Sequence, residues 1–272
     1  MDNVSVIIPT FNRAQSLKRA VESVIRQSYP VMEILVCDDG STDDSKKIIS
    51  GIGDPRIKWI DCGKNGRPAI PRNKGIQVSK GDWLAFLDDD DEWLPEKIEM
   101  QLGVLRKSNL KASCTNAYRV TGETVTPKEL LSYAEDVLSF DTLLITNYVI
   151  CSSAIIHSSL VKSVEGFPEE KELRAIEDYA LWLRVSSKTN FAFVRKPLLN
   201  YADFAGESIR SKKMSVWEQR KIVMSNFIQW LKNDSEDLND IFEKAQTEKR
   251  IASRNLFAER IRNIARLKFL HR

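Results

Sequence analysis

No apolar run in this sequence approaches the roughly 20 residues that a membrane-crossing helix needs. An integral membrane protein is therefore not expected. The four cysteines, Cys37, Cys62, Cys114 and Cys151, stand far apart and form no Cys-x-x-Cys pair. That spacing argues against a zinc site or a disulfide scaffold and suits a reducing cytosol, with the thiols acting as small buried apolar groups. Histidine is scarcer still, and His157 is the only one away from the C-terminus. It follows an apolar run, so a hydrogen-bonded structural role is expected. Charge of one sign is also lacking: the net charge is +3, which disfavours a dedicated nucleic-acid binder. Neither a Gly-x-Gly-x-x-Gly fingerprint nor a Gly-x-x-x-x-Gly-Lys loop occurs, so a Rossmann dehydrogenase or a P-loop ATPase is not expected. No signal peptide is expected ahead of the first apolar run at 4–8, and the sequence shows no internal repeat or low-complexity tract.

What is present is a core-forming α/β pattern over 272 residues, 42% of them apolar. Apolar runs at 4–8, 33–37, 57–60 and 82–87 read as buried strands. Between them, 16–27 has helical spacing, and Ser41 with Asp44 resembles a capping box opening a helix through 46–49. The loop Pro71-Arg72-Asn73-Lys74-Gly75 is expected to lead into a shorter helix, and Pro95 reads as the first turn of another. Strand alternating with helix predicts a mostly parallel sheet with helices on its faces. Beyond about residue 105 the rhythm weakens. Strands are expected at 112–120 and 149–156, and helices at 177–185, 216–231 and 240–270, with 234–237 as the best linker. The expected division is a nucleotide-binding half over 1–105, an acceptor half over 106–215, and a helical extension over 216–272.

Chemistry concentrates where two strands end, at Asp38-Asp39 and at Asp88-Asp89-Asp90-Asp91. In a parallel sheet both turns face one crevice at the carboxyl edge. Four adjacent carboxylates repel one another and call for a counter-charge, which a hard divalent cation shared with phosphates supplies. Arg72 and Lys74, just ahead of the acid-bearing strand, could balance phosphate charge in the same crevice. These features point to a metal-assisted reaction on a diphosphate-bearing ligand.

Five segments then occur in a telling order: Ile7-Ile8-Pro9-Thr10-Phe11-Asn12-Arg13, Val36-Cys37-Asp38-Asp39-Gly40-Ser41-Thr42-Asp43, Arg72-Asn73-Lys74-Gly75, Phe86-Leu87-Asp88-Asp89-Asp90-Asp91, and Glu177-Asp178-Tyr179-Ala180-Leu181-Trp182-Leu183-Arg184. Together they resemble the family 2 inverting glycosyltransferases of the GT-A fold, such as bacterial O-antigen and capsule polysaccharide enzymes. The resemblance spans roughly residues 4 to 200. It implies a UDP-sugar donor, with Pro9, Thr10, Asp39, Arg72 and Asp88 at the nucleotide. Asp39 is expected to accept from the uracil N3–H. Asp88 and Asp90 are implied to hold Mn2+ or Mg2+, Asp90 most closely. Asp178 is implied to be the general base, with Glu177 orienting the acceptor or the base. An α-linked donor sugar would give a β-linkage.

The family's histidine-bearing segment after the last strand reads Tyr201-Ala202-Asp203-Phe204-Ala205-Gly206-Glu207-Ser208-Ile209-Arg210 here and holds no histidine. Arg210 or Lys212 is the candidate replacement on a possible lid. From 249 to 272 the chain carries eight Lys and Arg residues against Glu259 alone, with Phe257, Ile261 and Ile264 on one helical face. A basic amphipathic helix of this kind reads either as a binder of an anionic membrane surface or as a packing helix with a solvated basic face. With the first reading, the acceptor is expected to be a saccharide on an undecaprenyl-diphosphate carrier and the location the cytoplasmic face of the cell membrane; the family resemblance by itself implies glucose or galactose as the donor sugar. A sugar nucleotidyltransferase would need a Gly-rich basic loop where Pro9-Thr10-Phe11-Asn12-Arg13 stands. A non-catalytic scaffold binding through the tail is the other alternative.

Overall fold

The computed structural model describes residues 2–122, 124–203, 214–234 and 238–270, the last span without the side chains of 260 and 263–270. The chain opens with β1 (Val4–Thr10), buried at every position, and α1 (Ala14–Ile25), whose Leu17, Ala20, Val21 and Val24 face the sheet at helical spacing. Then come β2 (Glu33–Asp38), α2 (Ser45–Ser50), β3 (Ile57–Asp61), α3 (Ala69–Val78) and β4 (Trp83–Phe86). Past the acid turn lie β5 (Glu92–Trp93), α4 (Lys97–Ser108), β6 (Ala112–Thr121), β7 (Thr124–Glu129), β8 (Val137–Leu138) and α5 (Phe140–Ile145). The rest is β9 (Ile155–His157), α6 (Ser158–Ser163), α7 (Glu177–Ser186), β10 (Phe191–Ala202), α8 (Val216–Leu231) and α9 (Asn239–Leu270).

One mixed sheet runs in the order β3-β2-β1-β4-β9-β6-β10-β5, with β7 on β6 and β8 on β10. β9 is antiparallel to both β4 and β6, so β6 regains the direction of β4, and β10 pairs parallel with β6. The strands β1, β2, β3, β4, β6 and β10 therefore end at one edge. The expected α/β architecture, with its central sheet, flanking helices and helical C-terminal extension, is what forms.

Some expectations need correction. Ser41 does not cap α2: its Oγ accepts from the Asn12 N–H at 2.9 Å, and the helix starts at Ser45, whose N–H donates to Asp43. Pro95 precedes α4, which begins at Lys97. The apolar run 149–156 is only partly strand, because residues 151–153 form a 3-10 turn in which Ser153 Oγ donates to the Ile150 carbonyl. Cys62 is half-buried, while the other three thiols are buried. His157 hydrogen-bonds Ser159 and packs edge-on against Trp83, as a structural histidine does. Of the linker, Asp234 pairs with Lys188 at 2.9 Å, and 235–237 lie outside the described residues.

Two packing features position the site. α3 lies against β1 and β2 so closely that a Cβ on Gly75 would stand 2.6 Å from Ile7 Cγ2 and 3.0 Å from Cys37 Sγ. Behind the acid turn, the fully buried Lys97 donates to Gln101 at 2.7 Å and stands 4.1 Å above the Trp93 ring. Burial depresses the Lys97 pKa well below the ordinary lysine value. The folded state thus binds fewer protons than the unfolded one, so stability gains with rising pH between that depressed value and about 10.4. The unfolding free energy of the wild type minus that of Lys97→Met is expected to grow from about pH 7 to about pH 9. Denaturant titrations check this, and a pH-independent difference contradicts it.

Candidate active site

The carboxyl edge of the sheet opens into a cavity of about 650 Å3. Strand ends line it in turn: Pro9 and Thr10 at the end of β1, Asp39 after β2, Asp88 to Asp90 after β4, Arg119 on β6 and Tyr201 on β10. Cys151, ahead of β9, reaches the same space because that strand runs the other way.

At one end stands Asp39, buried. Its Oδ1 accepts from the backbone and side-chain N–H groups of Asn65 at 2.8 and 2.9 Å, and its Oδ2 accepts from the Gly66 N–H at 2.7 Å. A carboxylate offers about four acceptor positions, so one remains on Oδ2 for a ligand N–H. Asp38 points elsewhere and accepts from the Ser41 N–H, closing the turn. Asn12 adopts φ 51, and its Oδ1 accepts from the Thr42 N–H at 2.7 Å, tying the first two strand-end turns together. Phe11 is exposed at this end, with the Lys64 ammonium 5.9 Å from its ring centroid.

The four consecutive acids divide into different environments. Asp88 accepts from Arg72 at 2.6 Å, and its backbone N–H donates to Ser152 Oγ. Asp89 is buried and accepts from Thr10 Oγ1 at 2.8 Å and from Arg13 at 3.1 Å. Burial pushes its pKa up to about 7 against the pull of Arg13. Asp90, partly exposed, also takes Arg13, and burial followed by the charge of Asp88 raises its pKa. Asp91 accepts from the Ala202 N–H at 2.8 Å, and burial followed by its neighbours' charges lifts it well above the carboxylate range. Asp88, Asp89 and Asp90 line the cavity; Asp91 is a structural tie to the end of β10. Asp88 and Asp90 are the more accessible acids, at 30% and 29% of side-chain surface, and an oxygen-only donor pair of this kind fits a hard divalent cation that also takes diphosphate oxygens. Among the described residues no group of three acidic, histidine or cysteine side chains forms a ready metal cage.

Arg72 links the two ends. It is buried on α3, donating to Asp88 at 2.6 Å and to Glu177 at 2.8 Å, with its guanidinium 5.2 Å from the Phe167 ring centroid. Burial opposes its charge, but its neighbours, Cys151, Asp88 and Glu177, outweigh that and raise its pKa well above the ordinary arginine value. The neighbouring motif residues have other tasks. Asn73 exchanges two hydrogen bonds with the Phe167 backbone, at 2.8 and 2.9 Å, and so fixes the loop that leads to α7. Lys74 is exposed and does not line the cavity, which corrects its expected phosphate role.

Glu177 and Asp178 form the first turn of α7. Trp182 one turn on is fully buried among Phe86, Phe167 and Phe191, with ring centroids 6.3, 6.0 and 5.9 Å away, and this packing seats the helix. Glu177 is buried and shares Arg72, while its Oε2, buried and lacking a hydrogen-bond partner, belongs to a side chain lining the cavity. Asp178 is half-buried, lines the cavity, and accepts from the Tyr179 N–H at 2.7 Å. Arg210, the possible lid residue, lies outside the described residues.

Sequence reasoning had no role for Arg13, Asn65, Gly66, Phe11, Arg119 or Arg174. Arg13 carried a usable signal: a cation at the end of the strand-to-helix turn that faces an acid turn.

Residues 5–163 match the family described as Glycosyl transferase family 2. The chain belongs to glycosyl transferase family 2. A curated relative within this family is the Escherichia coli protein named UDP-Glc:alpha-D-GlcNAc-diphosphoundecaprenol beta-1,3-glucosyltransferase WfaP, 34% identical over 193 residues that span 69% of this chain and 72% of that one. The Escherichia coli protein WfgD, with the same descriptive name, is 26% identical over 227 residues, 83% of this chain and 87% of that one. Among solved structures, Staphylococcus aureus TarS 1-349 in complex with UDP-GlcNAc superposes with a TM-score of 0.72 at 20% identity, over 90% of this chain and 72% of that one. At that identity the likeness establishes the GT-A fold. A glycosyltransferase of family 2 is thus in hand, and Glu177 and Asp178 lie beyond the stretch that carries the family match.

Proposed function

We propose that the protein transfers a hexose, glucose or galactose, from a UDP-sugar to a sugar on a lipid diphosphate, inverting the anomeric centre to give a β-linkage. The observation that carries this reading is the single cavity joining Asp39, the acid turn and Asp178. The names of WfaP and WfgD, both UDP-Glc-dependent and acting on GlcNAc-diphosphoundecaprenol, support the donor and acceptor classes and favour glucose.

In this reading the uracil lies at Phe11, and its N3–H donates to the remaining acceptor position of Asp39 Oδ2. The diphosphate lies along the acid turn. Asp88 and Asp90 would hold Mn2+ or Mg2+, which when bound would neutralise charge on the departing diphosphate. Asp178 takes the proton of the acceptor hydroxyl as its oxygen attacks the anomeric carbon. The bond from that carbon to the diphosphate breaks on the opposite face, and UDP leaves. Glu177 Oε2 accepts from a second hydroxyl of the acceptor sugar and orients it. Arg72 holds Glu177 in place.

α9 favours work at an anionic membrane surface, since Lys249, Arg250, Arg254 and Arg262 share it with the exposed Phe257 and Ile261. No helix of the described residues is long and apolar enough to cross a membrane.

The test is a panel of UDP-glucose, UDP-galactose, UDP-N-acetylglucosamine, UDP-N-acetylgalactosamine and GDP-mannose, with and without Mn2+, and a HexNAc-diphosphate-lipid analogue as acceptor. Cation-dependent release of UDP from UDP-glucose or UDP-galactose is expected, together with a rise in thermal midpoint on adding UDP and Mn2+. Turnover of GDP-mannose alone overturns the role given to Asp39. The absence of both turnover and UDP stabilisation overturns the functional reading.

A further inference from the structure

The cavity is lined by five arginines, and four of them are engaged. Arg13 is held by Asp89 and Asp90, and Arg72 by Asp88 and Glu177. Arg119 pairs with Asp203 at 3.3 Å, and Arg67 donates to the Glu169 carbonyl. Arg174 also lines the cavity, and its exposed side chain has no ionic or hydrogen-bonded partner among the described residues.

Its backbone setting is unusual. Arg174 closes a 3-10 turn, Lys171–Leu173, and is followed by Ala175 at φ 70. A left-handed conformation at a residue other than glycine costs free energy and persists where the surrounding structure holds it, commonly at ligand sites. Here it joins the 3-10 turn to α7 and leaves Arg174 and Asp178 on one cavity wall. The acids Asp88, Asp89, Asp90, Glu177, Asp178 and Asp203 line the same space and would repel an anionic acceptor that met no free cation.

We propose that Arg174 binds a phosphate of the acceptor, so that the protein reads its acceptor as a sugar 1-diphosphate and not as a sugar alone. This rests on the acceptor side of the function proposed above. The assignment to acceptor phosphate follows from position. Arg174 lies four residues before the base, and four residues of chain span at most about 14 Å, the length scale of one sugar with its diphosphate. In the function proposed above the donor diphosphate is assigned to the acid turn, away from Arg174. A guanidinium matches phosphate oxygens through paired N–H donors, which an ammonium does not reproduce. It follows that the acceptor sugar attacked is the one bonded directly to the diphosphate.

The experiment compares the wild type, Arg174→Ala and Arg174→Lys on two acceptors, an α-HexNAc-diphosphate-alkyl and the corresponding phosphate-free alkyl glycoside. For Arg174→Ala, KM for the diphosphate acceptor is expected to rise roughly ten- to hundredfold. KM for the UDP-sugar and turnover of the phosphate-free glycoside should stay at wild-type values, and lysine should restore part of the loss. Equal losses on both acceptors, or a raised KM for the UDP-sugar, overturn the proposal. Calorimetric binding of the diphosphate acceptor to wild type and Arg174→Ala, each loaded with UDP, decides the point without turnover, because equal affinities also overturn it. A chain that uses no UDP-sugar but still binds the diphosphate acceptor through Arg174 would sink the functional reading alone.

Discussion

Arg72→Met is expected to lower stability by about 3–5 kcal/mol, because Asp88 and the buried Glu177 would then face each other without their shared guanidinium. For a chain of this size that corresponds to a fall of roughly 10 °C in the thermal midpoint. Turnover should fall by about a hundredfold or more, since Glu177 would lose its orienting partner and the cavity its buried positive charge. Arg72→Lys should recover only part of either property: a compact ammonium does not reproduce the planar fork whose two nitrogens each meet one carboxylate. Scanning calorimetry supplies the discriminating cycle. If the ion pair is responsible, adding Glu177→Gln to Arg72→Met should restore part of the midpoint, giving a coupling free energy well above zero. An Arg72→Met protein that melts with the wild type would refute this account.

Asp178→Asn should lower kcat by about 10^2- to 10^4-fold while leaving UDP affinity and the thermal midpoint near their wild-type values. The amide keeps the shape of the carboxylate but cannot take the hydroxyl proton. Single-turnover kinetics alongside calorimetric titration with UDP separates the two quantities. Glu177→Gln is the informative comparison, because Glu177 is buried and already shares Arg72. Its loss should raise the acceptor KM more than it lowers kcat. A kcat for Asp178→Asn within tenfold of wild type would remove this residue from the role of base.

Much of the nucleotide side could be read from residue order. The runs at 4–8, 33–37 and 82–87 are apolar at all but one position each, and each ends in a polar turn, so the strands and the edge carrying the chemistry followed together. The acid turn resisted finer reading for a physical reason. Four identical side chains differ only in what they meet, and those partners (Arg72, Thr10, Arg13 and the Ala202 N–H) come from segments up to 111 residues away. The acceptor side was less legible. β10 is interrupted by Arg195-Lys196-Pro197 and shifts register there, while β5 has two residues, so neither presents a strand-like period. The run at 149–156 misled because Ser153 bonds the backbone carbonyl three residues before it and so favours a turn. Arg174 offered no pattern at all; its interest comes from the turn geometry that follows it.

Gly75 carries no group that could touch a substrate, yet it governs how accurately Arg72 is placed. α3 rests on the sheet with no room for even a methyl at this point, so the helix has a seating tolerance smaller than one carbon atom. Arg72, one turn earlier on the same rigid body, inherits that tolerance, and so do Asp88 and Glu177 at either end of its fork. The alignment of these three charged side chains is set partly by an absent side chain at the helix–sheet contact.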